Sequence, residues 1–294
     1  MSKKLFVQTT TFLSQIESAV SWLDWIRGAT RFEEIFRDRI PWANLKLHEI
    51  PIVQTKLRHP APEQRLILNA LYVTVVAAFE EYLRQLVILL SDEYTKSRPT
   101  WNEDSEGLFK LNVRASARML RKMDSPPDHL TIDFWDICRE LGTCHPSTTA
   151  VTLNSIALAA DVESLIKLEN FMACAHAFGA DLNFDILGKD DAICNAFKVK
   201  KSAARENSKL VREAAAEISR LRNRIAHTGV NASDITEDVL RRDIDIVKVV
   251  ATVFDAHIQV AVDGFHKANR GSAAKSAAQP ARSSLDSKSG HVGT

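Results

Sequence analysis

The chain has 294 residues, 45% of them hydrophobic and 26% charged, with a net charge of +1. That length can bury a sizeable core in one or two domains, and the composition is that of a soluble globular protein. A charge balance so near zero creates no overall field for nucleic acid, so any anion-binding site must be local.

Taken in order, Met1 to Val7 is followed by Gln8-Thr9-Thr10-Thr11, too polar for a secretion signal. No window approaches eighteen apolar residues, so the expectation is a cytoplasmic chain with no membrane span. Residues 4–27 carry Leu5, Phe12, Ile16, Val20, Leu23 and Ile26 at helical spacing and read as an amphipathic helix. Trp22 and Trp25 are expected to pack with it. A second, shorter helix is expected over 30–39, stopped by Pro41, and the proline-bearing stretch to Pro62 reads as a loop. Residues 1–62 thus read as an N-terminal helical extension.

Residues 63–96 form the strongest helix. Leu66 to Leu90 is apolar on most faces, the mark of a helix inside a bundle. Glu80 and Arg84 interrupt it four apart. They can form an intrahelical ion pair with Glu81 exposed, or Glu80 can reach a site elsewhere and hold an Arg or His there. On the helix expected over 106–123, Lys110, Arg114, Arg118, Arg121 and Lys122 gather within roughly a third of the circumference, opposite Phe109, Val113, Met119 and Leu120. No acidic residue lies between Lys110 and Lys122. Such a face is either plainly solvated or a contact surface for RNA phosphates.

Pro126-Pro127 breaks the chain before a short helix near 131–141 and a loop through Cys144-His145-Pro146. Adjacent residues point different ways on most backbones, so Cys144-His145 makes a poor nucleophile and base. Cys138, Cys144, Cys174 and Cys194 show no CxxC spacing and no paired histidines nearby, which favours buried free thiols over zinc. A helix over 161–178 ends at Gly179. Asp181, Asp185, Asp190 and Asp191 follow in a loop whose spacing fits no EF-hand, and no metal site is expected.

The helix over 200–228 holds seven basic and three acidic residues between Lys201 and Arg224. At 100° per residue, Val211, Ala214, Ile218, Leu221 and Ile225 share one apolar arc. Arg222 falls on the edge of that arc, and Asn223 and His227 share the polar flank beside it. Gly229 can supply a left-handed helix cap. Asp234 can cap the last helix, 235–267, which packs through Ile235, Val239, Ile246, Val249, Val250, Val253 and Ile258. The tail 268–294 is rich in Ser, Ala, Gly and Lys and is expected to be disordered. There is no internal repeat, Gly-rich phosphate loop or Ser-His-Asp grammar. The chain reads as all-α.

Arg222-Asn223-Arg224-Ile225-Ala226-His227 resembles the signature of the HEPN superfamily: an Arg, a polar residue, a short spacer and a His. Ala78-Phe79-Glu80-Glu81-Tyr82-Leu83-Arg84 resembles the "alEayLR" run of the RiboL-PSP and MAE-type HEPN-like nucleases. Leu153-Asn154-Ser155 through Phe178-Gly179 is similar to their "LN…D…I…FG" segment. The resemblance covers roughly residues 65 to 265. It implies a HEPN-like helical bundle over 63–267, with N-terminal and inserted helices added. It also implies a metal-independent endoribonuclease of toxin or antiphage-defence type, with no cofactor. The site implied is Arg222, Asn223 and His227, with Glu80 beside them. The face of Arg114, Arg118, Arg121 and Lys122, together with Arg224, is the candidate RNA-contacting surface. Histidine can serve as base or acid near neutrality, and arginine can grip two phosphate oxygens at once. One motif offers a single histidine, and HEPN ribonucleases pair two motif helices across a homodimer. The alternative is a non-catalytic HEPN module that binds RNA or nucleotides as the partner of another enzyme. In members silenced by nucleotidylation a Tyr stands two places after the His. Gly229 stands there in this chain, which speaks against that kind of partner and leaves any antitoxin or defence-system partner open.

Overall fold

The long helix that the sequence marks as apolar on most faces is the one five other helices pack on. The computed structural model describes residues 5–39, 60–98, 105–122, 134–143, 151–162, 168–228 and 235–277. Helix α1 (Val7–Arg39) is followed by α2 (Pro60–Ser97), α3 (Glu106–Lys122), α4 (Phe134–Thr143), α5 (Ser155–Asp161) and α6 (Leu168–Ala177). The short α7 (Phe184–Leu187) and α8 (Asp191–Ala196) and a 3-10 turn (Lys201–Ala203) lead into α9 (Ala204–Thr228) and α10 (Glu237–Ala277). The fold is all-α, with no strand among the described residues. Helices α1, α5, α6, α9 and α10 all pack on α2, which accounts for its all-round apolarity. Contrary to the sequence reading, α2 contains an 18-residue window of mean hydropathy 1.5, long and apolar enough for a membrane span by composition. In this fold Tyr72, Val76, Leu83, Leu86, Val87 and Leu90 of α2 are buried in the common core.

Helix α1 is continuous where two helices were expected, and it shares that core. Phe12 stacks 5.0 Å from Tyr82 and sits 5.5 Å from Phe79. Trp22 is more exposed than expected of a packing residue, at 56%. Phe12, Ile16, Ala19 and Leu23 already form the buried stripe, and Trp22 lies about 80° off it at 100° per residue. The side chain of Trp25 and the expected loop residues 41–59 lie outside the described residues. Buried Asp255 of α10 receives the start of α1, accepting the Phe6 N–H at 3.0 Å and the Thr9 hydroxyl. A carboxylate gains there from the unused amides and the positive end of the helix. Farther along α1, Asp24 meets Arg241 at 2.6 Å, so α1 and α10 run antiparallel.

Tyr72 of α2 donates to buried Asp243 of α10 at 2.8 Å, and Arg242 meets the same carboxylate at 2.8 Å. Burial pushes the Asp243 carboxyl above its ordinary 3.8. The native chain therefore holds this proton more tightly than the unfolded chain does. The resulting stability is fully present below 3.8 and is lost as pH rises through the native value. Asp243→Asn removes that loss, and its amide oxygen can still accept from Tyr72. The Tm difference, variant minus wild type, should grow more positive from about pH 4 upward and level off once the wild-type carboxyl is ionised. Thermal melts over a pH series that show a constant difference would contradict this account.

The stretch between α3 and α9 departs most from the sequence reading. Of the expected helix 161–178, Leu168–Ala177 is helical as α6, Asp161 is instead the last residue of α5, and 163–167 lie outside the described residues. Asn154 caps α5 by accepting the Ala157 N–H at 2.8 Å, and Asn112 of α3 holds its backbone N–H at 2.9 Å. Helix α6 stops at Gly179 as expected, with φ +87 and a bond from Ala180 N–H to the Ala175 carbonyl at 3.0 Å. The supposed loop beyond it folds into α7 and α8. Asp190 caps α8 through the amides of Ala192 and Ile193, and Asp191 pairs with Lys201 at 3.0 Å. No group of three or more potential metal ligands occurs among the described residues.

Gly188, just after α7, backs onto the first turn of α9. A Cβ there would stand 2.5 Å from the Ala204 carbonyl oxygen and 2.7 Å from the Ser208 amide nitrogen. Because backbone is the obstacle, Gly188→Ala should cost about 1–3 kcal/mol or more. Gly264→Ala on α10 meets nothing within 4 Å and should instead stabilise, by about 0.5–1 kcal/mol. Thermal melts of the two variants that shift in the same direction would contradict the packing described.

Helix α10 is capped by Thr236, whose Oγ1 accepts the Val239 N–H at 3.2 Å. The expected cap, Asp234, lies outside the described residues. The helix runs past the expected end at 267 to Ala277, so the segment expected to be disordered begins as helix. Residues 278–294 lie outside the described residues.

Candidate active site

Helix α9 buries the arc that its periodicity predicts. Val211, Ile218, Leu221 and Ile225 are buried, and Ala214 packs against the core at its margin. The opposite flank is left to solvent, and Arg222 stands on the border with its side chain 34% exposed. Its Nη2 lies 3.4 Å from Glu80 Oε2 of α2, and its Nη1 donates to Asn223 Oδ1 at 3.0 Å. The Glu80 side chain is only 15% exposed, so this pair is less screened than a surface ion pair. Arg222 Nε is buried without a hydrogen-bond partner among the described residues. The guanidinium is therefore fixed in plane by its position in the wall and by two acceptors.

Of the two adjacent carboxylates on α2, Glu80 is the one that meets α9. Glu81 accepts from Arg84 one turn on and from Gln85 Nε2 at 2.7 Å. Asn223 has its oxygen engaged by Arg222, which leaves its amide N–H groups for a bound phosphate or for His227. His227 is exposed in the last turn of α9 and makes no hydrogen bond among the described residues. The expected cap at Gly229 lies outside the described residues. Arg222, Asn223 and Glu80 are thus in contact, with His227 one turn beyond Asn223 on the same flank.

The basic face of α3 is less uniform than its sequence. Arg118 Nη1 meets both oxygens of Asp161 from α5, at 2.7 and 2.8 Å, and Lys110 lies 2.6 Å from Glu106. Arg118 is thus a paired residue rather than an open cation. Arg114 and Arg121 are exposed and carry no ion pair among the described residues. The side chain of Lys122 lies outside them, and Arg224 is exposed on α9.

One constellation escapes the sequence altogether. Ser97 Oγ lies 3.4 Å from His266 Nδ1, and His266 Nε2 lies 3.2 Å from Glu93 Oε2. The order Ser, His, acid is that of a hydrolase relay, yet Ser97 is only 4% exposed. The three tie the end of α2 to α10. Cys174 and Cys194 are buried and free, and Cys138 is half-buried. Burial pushes the Cys174 thiol up to about 12, which keeps it protonated and inert at neutral pH. Cys144 and His145 lie outside the described residues. No protein-family model, curated protein or solved structure matches the chain.

Proposed function

We propose that this protein is a metal-independent endoribonuclease of the HEPN type, working as a homodimer in the manner of toxin or antiphage-defence nucleases. The observation that carries the reading is the contact of Arg222 with Glu80 and Asn223 beside an exposed His227. In the proposed reaction the 2′-hydroxyl of one nucleotide attacks the adjacent phosphorus. The O2′–P bond forms and the P–O5′ bond breaks, leaving a 2′,3′-cyclic phosphate and a 5′-hydroxyl.

Two protons move in that reaction: one leaves the 2′-hydroxyl and one arrives on the departing 5′-oxygen. A single histidine is thin for both tasks, and a second copy of α9 across a two-fold axis supplies the second. Arg222 meets the charge that builds on the non-bridging oxygens, since its planar fork suits a phosphate. Glu80 keeps that fork in plane and offsets the repulsion between two arginines brought face to face. Arg114, Arg121 and Arg224 are the proposed phosphate contacts outside the site.

The test is cleavage of a labelled RNA in excess chelator by purified full-length chain, with His227→Ala prepared in parallel. Chelator-resistant cleavage lost in the variant is expected. Cleavage stopped by chelator and restored by added metal would rule out the metal-independent mechanism. RNA binding with no cleavage under any of these conditions would replace it with the non-catalytic binding module.

A further inference from the structure

Farther back on α9, a cleft of about 400 Å³ opens between that helix, α6 and α7, within the size range of small-ligand sites. Arg212 of α9 lies over the ring of Phe184, its guanidinium carbon 4.7 Å from the ring centroid. Phe184 is buried and Arg212 is largely exposed, so the stacked guanidinium forms a flat wall of the cleft. Two carboxylates flank it. Glu169 Oε1 is 3.4 Å from Arg212 Nε, and Asp185 accepts the Ser208 hydroxyl at 3.2 Å one turn earlier on α9. Asn183 is exposed in the cleft lining and spends its oxygen on the Ile186 N–H at 2.9 Å, which leaves its amide hydrogens for a ligand, and His176 completes the rim.

These groups suit a particular chemistry. A phosphate would meet one arginine and two carboxylates, a poor balance of charge. A flat π-system can stack on an arginine plane, as unpaired bases do in RNA recognition. Carboxylates are acceptors only, and they select for N–H donors such as the exocyclic amine of cytosine or adenine. Uracil has no such amine. Arg212 and Arg222 are ten residues apart on one helix, about 15 Å along its axis, a span of a few nucleotides.

We propose that this cleft holds an amino-bearing base of the RNA strand, a few nucleotides from the scissile phosphate, and so sets sequence preference. The proposal rests on the endoribonuclease reading of the α9 site. It is tested on full-length His227→Ala chain, which should bind RNA without cutting it. Fluorescence anisotropy would be measured with labelled hexamers of C, A and U, alongside cut-site mapping of wild type and Arg212→Lys on mixed-sequence RNA. C and A hexamers should bind about five- to tenfold more tightly than U. Arg212→Lys keeps the charge but loses the plane, and should bring the three within about twofold while leaving the salt dependence unchanged. Glu169→Gln, which adds a donor, should move the preference towards U.

Equal affinity for all hexamers, no hexamer binding at all, or a preference indifferent to Arg212→Lys would overturn the proposal. Competition by free cytidine without any hexamer preference would assign the cleft to a free nucleoside and overturn it too. If the preference and its loss are seen but wild type cuts no RNA, the cleft stands and the catalytic reading falls. RNA cut without preference is the reverse case.

Discussion

Replacing His227 with alanine should lower the rate of RNA cleavage by about 10²-fold or more, in line with what a positioned general acid or base contributes. The same change should leave Tm nearly where it was, because His227 is exposed and bonds to no described residue. Arg222 behaves differently. Arg222→Ala should abolish cleavage as well, but it strips the partly buried Glu80 of that partner and should lower Tm. Arg222→Lys keeps a positive charge near Glu80 and loses the planar fork, so stability should largely return while cleavage does not. Single-turnover rates and melts on the three variants would check this together. Full cleavage by His227→Ala would exclude that residue from the chemistry.

Wild-type chain exchanged with a ninefold excess of Arg222→Ala/His227→Ala chain should lose about nine tenths of its activity, since random pairing leaves roughly one wild-type chain in ten facing another. The physical ground is the single motif histidine per chain, His227, on the solvent flank of a helix whose apolar arc is already buried. Two such flanks meeting about a two-fold axis would bring both motif histidines to one cleft. Their arginines would repel unless an anion lay between them, and a scissile phosphate supplies that charge. Glu80 from each chain offsets part of the repulsion in the empty dimer. The solution mass should be twice 32.8 kDa. Undiminished activity in the mixture, or a monomer by light scattering that cuts at full rate, would end the dimer proposal.

Local periodicity alone determines a good deal of this protein. The buried arc of α9, the rim position of Arg222, the shared flank of Asn223 and His227, and the stop at Gly179 all follow from neighbours within a few turns. The same holds for α2 as a central helix, because a helix apolar on most faces must be surrounded. Which of Glu80 and Glu81 meets the site is another matter. They differ by one step of rotation, and only the packing of α2 against α9 brings Glu80 to Arg222 across 142 residues. Arg118 reads as one more cation on an acid-free helix until α5 carries Asp161 to it from 43 residues away. Trp22 reads as a packing residue until the stripe from Phe12 to Leu23 fills the available core. Arg212 is one basic residue among seven on its stretch, and Phe184 lies in a segment that looks like loop. Their stacking exists because Gly188 lets α7 approach the first turn of α9. Spacing dictates which residues share a face; which faces meet depends on how the whole apolar surface is buried at once, and that is decided only in the folded chain.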